Sequence, residues 1–88
     1  MELKDTIEGM TSDDYKERFK AEYYQTLIRL NKLNNIIAKA KRNKLEFELV
    51  DGSLDLLEVQ AIYMQAYVNV LRDRANLENI RLGAINLD

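Results

Sequence analysis

An 88-residue chain with 13 Lys/Arg, 15 Asp/Glu and a net charge of −2 makes one domain, small enough that its core is marginal without help from oligomerisation. It holds no cysteine and no histidine, which excludes disulfide staples and the usual zinc sites and removes the best nucleophile and the commonest general base. An enzyme is therefore not expected, and neither a cofactor nor a metal.

With 47% apolar residues and no proline, the chain predicts long uninterrupted helices. No apolar run approaches the roughly 20 residues that span a bilayer, and the start Met1-Glu2-Leu3-Lys4-Asp5 has no targeting pattern, so a soluble intracellular protein is expected. Leu3 and Ile7, four apart, predict a short N-terminal helix over residues 1–10, broken at Gly9. Thr11 is placed to cap a long first helix over residues 12–44, with Asp14 as the capping-box acid and Met10 stapling onto Tyr15. Phe19, Tyr23, Leu27, Leu30, Leu33, Ile37 and Ala40 then recur at three- and four-residue steps, widened by Tyr24, Ile28 and Ile36.

Leu45 to Val50 alternates apolar and acidic, but a strand without a partner strand has nothing to pair with, so it reads as helix end and connection. Asp51-Gly52-Ser53 is a turn signal, with Ser53 capping a second helix over residues 53–78. Leu56, Leu57, Ile62, Met64, Tyr67, Val68, Leu71 and Ala75 mark its apolar side. Val59, Ala66 and Val70 lie off the Leu57, Met64, Leu71 line, and this excess requires another partner. Residues 79–88 form a tail whose Leu82, Ile85 and Leu87 pack on a neighbour or fray. The fold class is all-α: a long antiparallel helical hairpin with a short N-terminal helix, assembling into a homo-oligomer.

Between Lys16 and Lys44 the chain carries nine Lys/Arg against two Glu, a lopsided field that attracts anions. Lys16, Arg18, Lys20, Arg29, Lys32, Lys39, Lys41, Arg42 and Lys44 are either an anion surface or plain solvation, and the scarcity of compensating acids favours the first. Tyr15, Tyr23 and Tyr24 are stacking platforms or core; Tyr23 belongs to the core stripe, while Tyr15, at a helix start beside Lys16 and Arg18, suits a ligand better. Asn31, Asn34 and Asn35 either face water or hydrogen-bond across an interface. Arg72 and Arg74, flanking Asp73, are a C-terminal charge cluster or a pair of phosphate forks. The acids Glu46, Glu48, Asp51, Asp55 and Glu58 lack the glycine and spacing of a calcium loop, and are solvated or face the basic helix of another copy.

The run Asp14-Tyr15-Lys16-Glu17-Arg18-Phe19-Lys20, the seam Leu27, Leu30, Leu33 and the run Gln60-Ala61-Ile62-Tyr63-Met64-Gln65-Ala66-Tyr67-Val68-Asn69-Val70-Leu71 together resemble a small phage family: the anti-CBASS cyclic-oligonucleotide sponges, whose hairpin is shared with some anti-Thoeris sponges. The resemblance covers Thr11 to Ala75. It implies a compact homohexamer that does no chemistry and works in the cytoplasm of the infected bacterial host. Such a protein binds cyclic dinucleotides such as 3′,3′-cGAMP between protomers and cyclic trinucleotides at separate three-fold pockets, and so blocks CBASS immunity. It implies a dinucleotide site drawn from Tyr15, Lys16, Arg18, Phe19 and Lys20, with Lys20 as the gripping lysine and Tyr15 as the aromatic. Arg72 or Arg74 would serve the trinucleotide. No membrane and no DNA partner is implied. Residue chemistry alone leaves two alternatives open: a basic helical nucleic-acid-binding accessory protein, or a structural adaptor docking on a host protein.

Overall fold

The computed structural model describes residues 1–87, and they are helical throughout apart from turns and connections, with no strand among them. A 3₁₀ turn, Leu3–Thr6, runs into the one-turn helix α1, Ile7–Met10; the long helices α2, Tyr15–Lys41, and α3, Ser53–Glu78, follow. The start of α2 meets the end of α3 through Tyr15 and Glu78, and the end of α2 meets the start of α3 through Lys41 and Glu58, so the pair is an antiparallel hairpin. Its extents are 42 × 24 × 20 Å, the long one being the span of a 27-residue helix at about 1.5 Å per residue. No described helix is long and apolar enough to cross a membrane.

The helix ends differ from the sequence expectation in an instructive way. Thr11 does not cap α2; its hydroxyl donates back to the carbonyls of Ile7 (3.1 Å) and Glu8 (3.3 Å) and closes α1 instead. Asp14 is the α2 cap, accepting from the Lys16 amide at 2.9 Å, while the Ser12 hydroxyl accepts from the Asp14 amide at 3.1 Å. With Asp14 as cap the staple positions fall on Asp13 and Arg18, so the expected Met10–Tyr15 staple is absent. At the other end α2 stops at Lys41, short of residue 44, and the left-handed Asn43 (φ 53°) turns the chain away. Residues 44–52 connect the helices without forming a strand. Gly52, at φ +84°, is the residue before α3 and makes no side-chain cap; Ser53 is the first helical residue rather than the cap.

The core lies between the helices. Phe19, Tyr23 and Leu30 of α2 close on Val68, Leu71 and Ala75 of α3, with Ile80 sealing the open end. Val68 and Leu71 are completely buried. A second, smaller layer forms where α1 crosses α2: Ala21 and Ile28 are buried on that side. Gly9 is not a helix break but a contact point within α1. A Cβ built there would sit 2.7 Å from the Cβ of Ala21 and 3.3 Å from the Glu17 carbonyl. Gly9→Ala is therefore expected to push α1 off α2, at a cost of about 1–3 kcal/mol, measured as a lowered midpoint in chemical denaturation. An unchanged midpoint would mean α1 does not rest on α2.

The tail neither frays nor waits for a neighbour. Asn79 in the left-handed region (φ 56°) ends α3, the Ile80 amide donates to the Ala75 carbonyl at 2.8 Å, and Ile80 is buried. The chain then turns back along α2: the Gly83 amide donates to the Tyr24 hydroxyl (3.0 Å), and the Asn31 carboxamide donates to the Leu87 carbonyl (3.3 Å). The N-terminal ammonium reaches the Asn86 carbonyl at 2.8 Å. Asp88, the last residue of the expected tail, lies outside the described residues.

Candidate functional site

The residues singled out from the sequence fall in three places. At the open end of the hairpin, Tyr15, Phe19 and Arg74 come together. The Arg74 guanidinium stacks over the Phe19 ring at 5.0 Å, and the Tyr15 and Phe19 rings are 6.2 Å apart. The Tyr15 hydroxyl donates to Glu78 Oε1 at 2.6 Å and accepts from Arg74 Nη2 at 2.9 Å. Arg74 Nε completes the ring by donating to Glu78 Oε2 at 3.3 Å. Arg74 is thus paired with a carboxylate and held as a strut between α2 and α3. Glu78 was missed in the sequence although its place four residues after Arg74 is the spacing of a helical ion pair.

Lys20 lies elsewhere, in a cleft of about 430 Å³ between the N-terminal segment and α2. Tyr24 shares that cleft, as do the carboxylates Asp5, Glu8 and Glu17, and Lys20 Nζ is 3.7 Å from Glu17. Within one chain Lys20 and Tyr15 therefore do not face a common ligand. Lys16 is exposed beside the α2 start, and Arg18 is exposed but tied to the Ser12 carbonyl at 2.8 Å. Arg72 occupies the third place, with its Nε donating to the Tyr23 hydroxyl (3.0 Å) and its guanidinium 5.7 Å from the Tyr23 ring centroid. Tyr23 itself is core.

Along the rest of α2 and the connection, Lys16, Arg29, Lys32, Lys39, Arg42 and Lys44 are exposed and make no ion pair among the described residues. Lys41 is the exception, 3.4 Å from Glu58 of the same hairpin. The two Glu of α2 are already used, Glu17 by Lys20 and Glu22 as acceptor for the Tyr67 hydroxyl. The positive field of these side chains is thus left open to solvent and to anions.

The outer side of α3 carries the opposite kind of surface. Leu56, Val59, Tyr63, Ala66, Val70 and Leu77 follow one another at three-, four- and seven-residue steps, and all are exposed; Leu77 reaches 85%. Only Asp73 breaks this heptad-like line. Leu56 and Ile62, expected on the inward side, are 71% and 66% exposed, and Tyr67 lies at the edge. Because α3 is apolar nearly all round, periodicity cannot say which face is inward. An apolar strip of this length left in water marks an interaction surface.

Two tyrosines bind the helices through carboxylates, and this fixes a pH dependence. The hydrogen bond to Glu78, then desolvation, raises the Tyr15 pKa above its ordinary 10.0; the hydrogen bond to Glu22, then desolvation, does the same for Tyr67. A phenol whose folded pKa exceeds its unfolded one stabilises the fold fully below the unfolded value and loses that contribution as pH climbs through the folded value. The melting temperature is expected to fall above pH 10, and the double variant Tyr15→Phe, Tyr67→Phe to show a shallower fall. Equal slopes in the two proteins would contradict these tethers.

A family model described as Sequestin matches residues 13–77, which hold the α2 start, the hairpin core and nearly all of α3. Neither a curated protein nor a solved structure gives a significant match.

Proposed function

The chain belongs to the Sequestin family, and from that premise we propose that it is a phage anti-defence protein, the member carried by T-even phages, that binds cyclic di- and trinucleotides such as 3′,3′-cGAMP and holds them uncleaved. In this reading it acts in the cytoplasm of the infected host and withholds the messenger from CBASS effectors. The observation that carries it is the family match over a stretch whose α2 face presents unneutralised cations, together with a chain that lacks Cys and His for chemistry.

The working form is a homohexamer. The exposed Leu56–Leu77 line of α3 supports assembly, because copies packing on it remove apolar surface that none of the described residues covers. Assembly also answers the separation of Lys20 from Tyr15: a pocket between protomers can take the lysine from one chain and the aromatic from another. A cyclic dinucleotide, with two phosphates and two base faces, matches a two-fold pocket of that kind. The same unneutralised cations support a second reading, in which α2 lies along an RNA or DNA backbone.

Calorimetric titration with 3′,3′-cGAMP at two salt concentrations, followed by denaturation and recovery of the ligand, decides between them. The sponge predicts saturable binding with intact ligand returned. Heat that appears only with linear nucleic acid, and collapses with salt, would give the second reading instead; a cleaved ligand would refute sequestration.

A further inference from the structure

We propose that the outer face of α3 is the docking surface for the α3 of a second copy, laid antiparallel across a two-fold axis that passes between residues 66 and 67, an inference that deepens the reading of the chain as an assembly and rests on it. The surface is the line Leu56, Val59, Tyr63, Ala66, Val70 and Leu77, exposed at every position and running along roughly 30 Å of helix. The buried Val68, Leu71 and Ala75 lie on the other side of α3, so a helix laid on this line leaves the seam with α2 untouched. None of the described residues covers it, and a line of apolar positions at three- and four-residue steps is the shape that a second helix fills.

A two-fold contact sets one patch against the same patch of another copy, so the patch must be complementary to itself. Turned end for end about that axis, this line is. Leu56 meets Leu77 at both ends, Tyr63 meets the smaller Val70, and Ala66 lies beside the axis, where its small side chain lets the two helices approach. The same register sets Asp73, the one charge on the line, against Gln60. The Gln60 carboxamide makes only a 3.7 Å contact to the Met64 sulfur within its own chain, so it can donate to that carboxylate. One axis thus satisfies all three pairings. Parallel packing does the reverse: it sets Asp73 against Asp73, Asp55 against Asp55 and Arg74 against Arg74, and like charges facing each other oppose association. The symmetry of the line also identifies the occupant as a second copy, since docking an unrelated helix requires no match between the two ends of the same face. Three such pairs compose the six chains of the working form.

The chain has no cysteine, so single-cysteine variants report on this contact without background. Under mild oxidation Ala66→Cys is expected to form a disulfide-linked pair of chains, because its symmetry mate falls within the roughly 4.4–6.8 Å between Cα atoms that a disulfide spans. Leu77→Cys alone is expected to stay unlinked, while Leu56→Cys and Leu77→Cys co-expressed give the mixed pair. Non-reducing gel electrophoresis reads all three results, with circular dichroism to confirm native helical content. Failure of Ala66→Cys to link overturns the pairing, as does self-linkage of Leu77→Cys, which parallel helices would give. A host protein linked to Ala66→Cys in place of a second copy also overturns it. Light scattering of the native chain keeps this failure apart from that of the assembly: six chain masses without an Ala66 crosslink leave the hexamer standing and refute the two-fold contact. An Ala66-linked pair that takes up no cyclic nucleotide supports the contact while refuting the sponge.

Discussion

Replacing both Tyr63 and Val70 with Glu is expected to reduce the protein to single hairpins of undiminished helical content. Tyr63 is 71% and Val70 52% exposed in the isolated chain, so two carboxylates there touch no intrachain core and leave the α2–α3 packing alone. In an assembly built on this line the same side chains are buried, each worth about 1.5–3 kcal/mol of burial. Introducing a carboxylate without a partner into such an interface costs roughly 3–5 kcal/mol per unpaired charge, enough to reverse a modest association. Asp73 already supplies one charge on the line, which adds to the repulsion. Light scattering after gel filtration, with circular dichroism as the folding check, reads the outcome. An oligomer of unchanged mass would show that copies meet on another face.

Removing Lys20 has the second large effect, on ligand rather than on assembly. In Lys20→Ala the dinucleotide affinity is expected to fall by about 100-fold or more, since a charge-assisted phosphate contact is lost. The same substitution frees Glu17 beside Asp5 and Glu8, which leaves these three carboxylates as the cleft's charged side chains and adds repulsion. Folding changes little, because a surface pair such as Lys20–Glu17 contributes at most about 1 kcal/mol. Glu17→Gln is the counterpart: it unties Lys20 and lowers the local negative charge, so it should tighten binding. Titration calorimetry on both variants measures this, and unchanged affinity in Lys20→Ala would place the dinucleotide elsewhere.

The hairpin was legible in the sequence because α2 is strongly patterned. Phe19, Tyr23, Leu30, Leu33 and Ile37 recur at helical steps and are buried, and the absence of proline leaves both helices uninterrupted. The α2 boundary was harder to read, since Thr11, Ser12, Asp13 and Asp14 are all capping types and propensity cannot choose among four in a row. The surrounding fold chooses Asp14 by using Thr11 to end α1. On α3 the difficulty is reversed: apolar residues on every face erase the periodicity that would assign Leu56 and Ile62 outward. Gly9 was noticed for the wrong physical reason. Its role is a close approach to Ala21, which local sequence does not encode.

The site was legible only as charge. The excess of Lys and Arg on α2 is a composition fact, and the structure leaves most of it unpaired. Which arginine is a strut and which is free depends on contacts across some 60 residues, such as Arg74 to Tyr15 and Gly83 to Tyr24, both 59 apart in sequence.

Sequestration of intact cyclic nucleotides by an assembly of this chain is tested by native mass spectrometry of the protein with 3′,3′-cGAMP. It predicts a species of six chain masses that gains whole, uncleaved ligand masses. A single-chain species that gains none would contradict it.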